Sequence, residues 1–145
     1  MINMAIIIYT DGACSGNPGP MGIGIIIYEK YENRKILAQI SEYIGDGTNN
    51  IAEYTAVVKA LEAVKIFNPK KIEVRSDSEL LIKQLNGEYK VRNSKLRDLK
   101  RNIELLSAGI VITFTHVPRE ENSEADKLSK MAIPNSKTNI QKKLC

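Results

Sequence analysis

The sequence predicts an α/β domain built on a five-stranded mixed sheet, order 3-2-1-4-5, flanked by helices. Three observations predict it. Residues 5–11 (AIIIYTD) are apolar on both faces, as a central strand must be. Two more strand-like runs follow, joined by the short polar link Tyr31-Glu32-Asn33, which makes them an antiparallel pair. Beyond residue 50, helical periodicity alternates with short apolar runs. The later strands are then reached by crossovers and lie parallel to a neighbour, and the handedness rule leaves few topologies. Strand 4 beside strand 1 satisfies these constraints.

Each element follows from local chemistry. After the first strand, GACSGNPGPMG is rich in turn formers and predicts a loop. Residues 22–30 and 34–43 are the second and third strands, and Asp46-Gly47 marks a break. Residues 50–66 predict a helix: Asn50 is a good N-cap, and Tyr54, Val57, Val58, Leu61 and Val64 recur at helical spacing. Asn68-Pro69 stops it. Residues 72–76 form a short strand running into Asp77. Two helices, 78–86 and about 94–107, are parted by Gly87–Asn93. Gly109 ends the second, 110–116 is the last strand, and 120–132 is a helix stopped by Pro134.

Length and composition set the class. The 145 residues predict one domain, with a core over about 4–133 and a weakly ordered tail over 134–145. Met4 is as good a start as Met1, so Met1-Ile2-Asn3 is expected to be dispensable. A composition 43% hydrophobic and 26% charged is that of an ordinary globular chain. The longest unbroken apolar run, Met4–Tyr9, is too short to cross a bilayer, and no membrane partner is expected. No basic cluster precedes an apolar segment as in a secretory signal. A reduced, cytoplasmic setting is the expectation. Cys14 and Cys145 make neither a disulfide framework nor a zinc site, although one bridge between them stays open. The net charge of +4 suits a polyanionic partner. Six basic residues fall between Lys90 and Arg101 against the single acid Asp98. Five lysines and no acid lie from Lys127 to the end.

Four acids stand apart from the rest. Asp11 ends a central strand, Glu53 lies in the first turn of the long helix, and Asp77 ends strand 4. Asp126 lies in the last helix, on the side where Leu128–Met131 would pack. With strands 1 and 4 adjacent and parallel, Asp11 and Asp77 are expected about 4.8 Å apart at the carboxyl end of the sheet. Open sheets bind ligands at that crevice. Glu53 and Asp126 would arrive from the two helices. Like charges so close raise one another's pKa, and a hard divalent cation relieves the repulsion. All-oxygen ligands with a single histidine in the chain point to Mg²⁺ or Mn²⁺, not zinc. Two ions sharing a carboxylate suit in-line displacement at phosphorus. Spacing alone leaves open that these are capping and strand-end acids with no shared purpose.

The text around the acids closes that gap. Asp11-Gly12-Ala13-Cys14-Ser15-Gly16-Asn17-Pro18-Gly19-Pro20, followed by Gly22, resembles the opening motif of type 1 ribonuclease H. Thr48-Asn49-Asn50-Ile51-Ala52-Glu53 resembles its T-N-N-x-x-E helix start, and Ser76-Asp77-Ser78 its [ST]-D-S strand end. His116, Asn122 and Ala125-Asp126 resemble its closing H…N-x-x-[AC]-D. The four blocks occur in order and span most of the chain. The resemblance implies the ribonuclease H fold and endonucleolytic hydrolysis of the RNA strand of RNA/DNA hybrids, leaving 5′-phosphate and 3′-hydroxyl ends. It implies two Mg²⁺ ions, Mn²⁺ being a substitute. Asp11 would bridge both ions, Asp126 would hold the one that activates water, and Glu53 and Asp77 the other. His116 matches a mobile histidine that assists proton transfer or product release, and Arg119 matches an arginine that takes this role in another branch. Asn17, Asn50 and Glu79 match positions near the 2′-hydroxyls, and Thr48 a position that binds a DNA-strand phosphate. Gly12 and the other loop glycines would let backbone approach the sugar edge. A monomer is expected.

Two departures bear on substrate grip. The basic, tryptophan-rich handle of some members is replaced by Gly87–Asn93, and no hybrid-binding domain is expected before Asp11. Binding is then expected to be weaker and strongly dependent on salt. Two other readings remain at this level: a nuclease or integrase of the same fold with a different substrate, and a non-catalytic nucleic-acid-binding domain, which the presence of all four acids disfavours.

Overall fold

The computed structural model describes residues 4–31 and 33–134. Five strands, β1 (Ala5–Cys14), β2 (Gly19–Glu29), β3 (Ile36–Gly47), β4 (Lys71–Ser76) and β5 (Val111–His116), form one sheet in the order β3-β2-β1-β4-β5. β1 pairs antiparallel with β2 and parallel with β4, and β5 continues parallel to β4. The predicted topology is therefore the observed one.

Helices cover both faces. α1 (Asn49–Ala63) packs on β1 and β2, with α2 (Glu79–Leu85) and α3 (Ser94–Leu106) against it. α4 (Ser123–Ala132) lies on β1, β2 and β3 from the opposite side. The main core is Ile6, Ile8, Ile23, Ile25 and Ile27 from the sheet against Tyr54, Val57 and Leu61 of α1. Strand alternation turns Ile7, Tyr9 and Asp11 to the α4 side. Among the described residues no helix is long and apolar enough to cross a membrane.

The boundaries correct several expectations. The glycine-rich stretch after Asp11 is mostly strand, and only residues 15–18 turn, closed by the Ser15 N–H donating to the Pro20 carbonyl at 2.8 Å. Its glycines serve close packing. A side chain at Gly12 would strike the α1 backbone at Ala52 and Glu53, and one at Gly24 would strike the Ala125 carbonyl and the Ser129 amide of α4. β3 begins at Ile36, because Asn33 and Arg34 both take the left-handed backbone that a tight hairpin turn requires. The cap of α1 is Thr48, whose Oγ1 accepts from the Ile51 N–H at 3.3 Å, so Asn50 is already inside the helix. The long helix ends at Ala63 in a 3₁₀ turn, Val64–Phe67, and the predicted residues 120–122 of the last helix are likewise 3₁₀. The tail from residue 135, the first three residues and any Cys14–Cys145 bridge lie outside the described residues.

Candidate active site

The β1–β4 ladder ends at the Tyr9–Arg75 pair, two residues short of Asp11 and Asp77. Both acids lie just beyond the last paired residues. Asn122 is buried beside them, and its Nδ2 donates to the Thr10 carbonyl at 2.9 Å and to Asp77 Oδ1 at 3.3 Å. The side-chain amide takes over where the backbone ladder stops. Asn122 Oδ1 is buried without a partner, so the residue is held on its donor side alone.

Glu53 comes from the other layer. It is the fifth residue of α1, one residue further in than predicted, because the helix starts at Asn49. The side-chain-free face of Gly12 lets that turn approach β1 closely enough to deliver it. Asp126 comes from α4, and here the predicted packing face is corrected. Met131 is exposed, while Ala125 and Ser129 are buried against Gly22 and Gly24 of β2. Small residues on both partners allow the close contact that sets Asp126 over the end of β1.

Asp11, Glu53, Asp77 and Asp126 thus line one open cavity of about 420 Å³, with Arg119 and Lys130 in its wall. Asp11 is raised to about 7, chiefly by burial; Asp77, Asp126 and Glu53 push the same way, against a hydrogen bond from Ser129. Glu53 is also raised to about 7, by burial and then by Asp77, against a hydrogen bond from Ser78. Burial and mutual repulsion thus hold two acids of one mouth near neutrality, the pattern that gathered acids show and scattered capping acids do not.

Each acid has its own restraint. Ser129 Oγ lies 2.7 Å from Asp11 Oδ2, Asn122 holds Asp77, and Lys130 Nζ lies 3.0 Å from Asp126 Oδ2. Ser129, Asn122, Ser78 and Lys130 were not singled out from sequence as site residues, although Ser129 and Lys130 share a helix face with Asp126 by i,i+3 and i,i+4 spacing. The donor set is all oxygen and suits a hard divalent ion. Among the described residues no three of its side chains close on one point in this arrangement.

The other expected residues lie around the mouth. Arg119 lines the cavity, whereas His116, at the end of β5, is exposed and faces Glu79 rather than the four acids. Glu79 is exposed and paired with Lys83 at 2.9 Å. Asn17 Oδ1 accepts from the Asn49 N–H at 3.1 Å, tying the β1–β2 turn to the start of α1. Thr48 caps through its oxygen and keeps its O–H to donate. Asn50 is exposed with its amide free of the predicted cap. Gly12 serves α1 packing, although its backbone also borders the cavity. Cys14, which has no disulfide partner among the described residues, donates to the carbonyl of Gly47 at 3.1 Å.

Comparison with known proteins agrees with this geometry. A family model described as reverse transcriptase-like matches residues 9–132. The ribonuclease HI of Halobacterium salinarum is 41% identical over 126 residues, covering 86% of this chain and 62% of that protein. The ribonuclease H of Chlorobaculum parvum is 35% identical over 144 residues, covering 88% and 94%. The solved structure of LC11-RNase H1 in complex with an RNA/DNA hybrid superposes with a TM-score of 0.82 at 42% identity, covering 88% of this chain and 96% of that one. The chain spans less than two thirds of the Halobacterium protein and 36% of the mycobacterial proteins that it matches.

Proposed function

Because the chain belongs to the ribonuclease H family, we propose that it is a metal-dependent endoribonuclease that hydrolyses the RNA strand of RNA/DNA hybrids. The observation that carries the reading is the meeting of Asp11, Glu53, Asp77 and Asp126, from four separate elements, in one cavity. The hybrid bound to LC11-RNase H1, which shares this fold at 42% identity, supports the substrate class.

Asp11, central to the group, would be shared between two Mg²⁺ ions, with Mn²⁺ as a substitute; Asp126 would complete one site, and Glu53 with Asp77 the other. Bound divalent ions supply Lewis acidity to an attacking water and to the leaving oxygen. The oxygen of water adds to phosphorus, the P–O3′ bond breaks, and the ends are a 5′-phosphate and a 3′-hydroxyl. The protein's own part is alignment. Ser129 and Asn122 orient Asp11 and Asp77. Arg119 brings a positive charge to the wall that phosphate approaches. The Thr48 hydroxyl can donate to a DNA-strand phosphate while it caps α1. Asn17, Asn50 and Glu79 would contact the 2′-hydroxyls, which in the shallow minor groove distinguish RNA from DNA. His116 would assist proton transfer or product release from beside Glu79. The four acids belong to one chain, so a monomer suffices, and a reducing cytoplasm would suit the Cys14 thiol, which has no disulfide partner among the described residues.

The test is cleavage of sequence-matched RNA/DNA hybrid, RNA duplex and DNA duplex, with Mg²⁺ and with EDTA. The reading expects Mg²⁺-dependent cuts confined to the RNA strand of the hybrid. Preference for the DNA duplex would reject it.

A further inference from the structure

Three of the four site acids take neutral donors: Ser129 for Asp11, Asn122 for Asp77 and Ser78 for Glu53. Asp126 differs. Its Oδ2 lies 3.0 Å from Lys130 Nζ, and among the described residues this is the one ion pair that involves a site acid. Arg119 lines the same cavity without forming one. Lys130 is set there by the fold. Residues 126, 129 and 130 share a helix face, and Ser129 is pinned by Asp11 while Gly22 and Gly24 admit the helix. The side chains are unequally covered, 59% exposed for Lys130 and 25% for Asp126, so the lysine can swing into water and leave the carboxylate in place.

We propose that Lys130 is a tethered counter-cation, which occupies Asp126 until a divalent ion displaces it. The inference rests on the metal-binding reading above and adds a regulatory element to that site. Lys130 would hold Asp126 while no ion is bound, relieve part of the repulsion among the four acids, and make ion binding a competition. A positive charge on a flexible stem suits this, because it leaves without disturbing the backbone. A lysine there would set the Mg²⁺ concentration at which the site fills, with little bearing on the architecture.

The experiment is a Mg²⁺ titration of the full chain without nucleic acid, followed by backbone-amide chemical shifts around Asp11 and Asp126. It compares the wild type with Lys130→Gln, Lys127→Gln and Asp126→Asn, alone and combined with Lys130→Gln. Lys127 is the control: it removes the same charge from the same helix, but its 3.8 Å partner is Glu124, outside the cavity. Lys130→Gln should tighten Mg²⁺ binding about two- to fivefold, the scale of an ion pair half-open to water. Lys127→Gln should leave it near the wild type, and in the Asp126→Asn background Lys130→Gln should have no effect. The thermal midpoint in EDTA should also fall in Lys130→Gln and recover more on adding Mg²⁺ than in the wild type. Unchanged or weaker Mg²⁺ binding in Lys130→Gln, or an equal gain in Lys127→Gln, would overturn the proposal. If the wild-type amides near the four acids ignore Mg²⁺ altogether, the metal reading itself falls and takes this one with it.

Discussion

Ser129 on α4 and Asp11 on β1 are bonded at 2.7 Å, and the same Ser129 Oγ lies 2.7 Å from the carbonyl oxygen of Asp126. A hydroxyl has one hydrogen and cannot donate to both. The hydrogen goes to Asp11 Oδ2 when that acid is ionised and to the Asp126 carbonyl when it is protonated. Donation to the carboxylate opposes the burial that raises the Asp11 pKa to about 7. The contact therefore joins the last helix to the central strand and reports the protonation of the acid at the centre of the site.

Removal of the serine hydroxyl tests this coupling. Ser129 donation is the one contribution that lowers the Asp11 pKa. Ser129→Ala should shift the acidic limb of the pH–rate profile upward and cost roughly 1 kcal/mol of stability for the lost buried bond. Rate profiles and urea melts check both. An unshifted limb would mean that Ser129 only packs.

The metal-free protein should lose stability as pH rises. Asp11 and Glu53 are both raised to about 7 from ordinary values near 4, so between those limits the folded state binds more protons than the unfolded state. Stability then falls with pH across that window, as both acids give up their protons. Urea melts in EDTA from pH 4.5 to 8 should show the decline, and added Mg²⁺ should flatten it at the upper end.

Gly24 should resist substitution even though it lies in a strand. A methyl there meets the Ala125 carbonyl and the Ser129 amide, neither of which can retreat without moving α4. Gly24→Ala should cost about 1–3 kcal/mol by overpacking and lower activity more than that loss alone explains, because α4 carries Asp126. Chemical melts beside single-turnover rates separate the two effects.

Arg119 and His116 should respond differently. Arg119 lines the cavity, and His116 stands outside it beside Glu79. Arg119→Gln should lower the single-turnover rate by roughly ten- to a hundredfold, the range of a lost charge-stabilising donor. His116→Gln should act more on multiple-turnover rates, through product release. Equal losses of single-turnover rate in both variants would contradict this division.

The sheet order and the four acids were legible in the sequence because they rest on local signals: a strand apolar on both faces, helical periodicity after residue 48, and acids at element ends. Less visible was whatever depends on which remote surface an element meets. Gly12 and Gly19 are turn formers in isolation, and only their place beside helix and neighbouring backbone makes them strand residues. Thr48 and Asn50 are both competent caps, and the backbone leaving β3 decides for Thr48. On α4 the apolar Met131 drew the packing face toward itself, whereas the narrow gap above Gly22 and Gly24 accepts Ala125 and Ser129 instead.

The most direct measurement is single-turnover cleavage of a labelled RNA/DNA hybrid by the wild type and Asp77→Asn in Mg²⁺, with hybrid affinity measured in parallel. Loss of one ion ligand should lower the rate by about a thousandfold or more, while affinity holds or rises as repulsion of phosphate is reduced. Full cleavage by Asp77→Asn would contradict the claim that the four gathered carboxylates perform the reaction together.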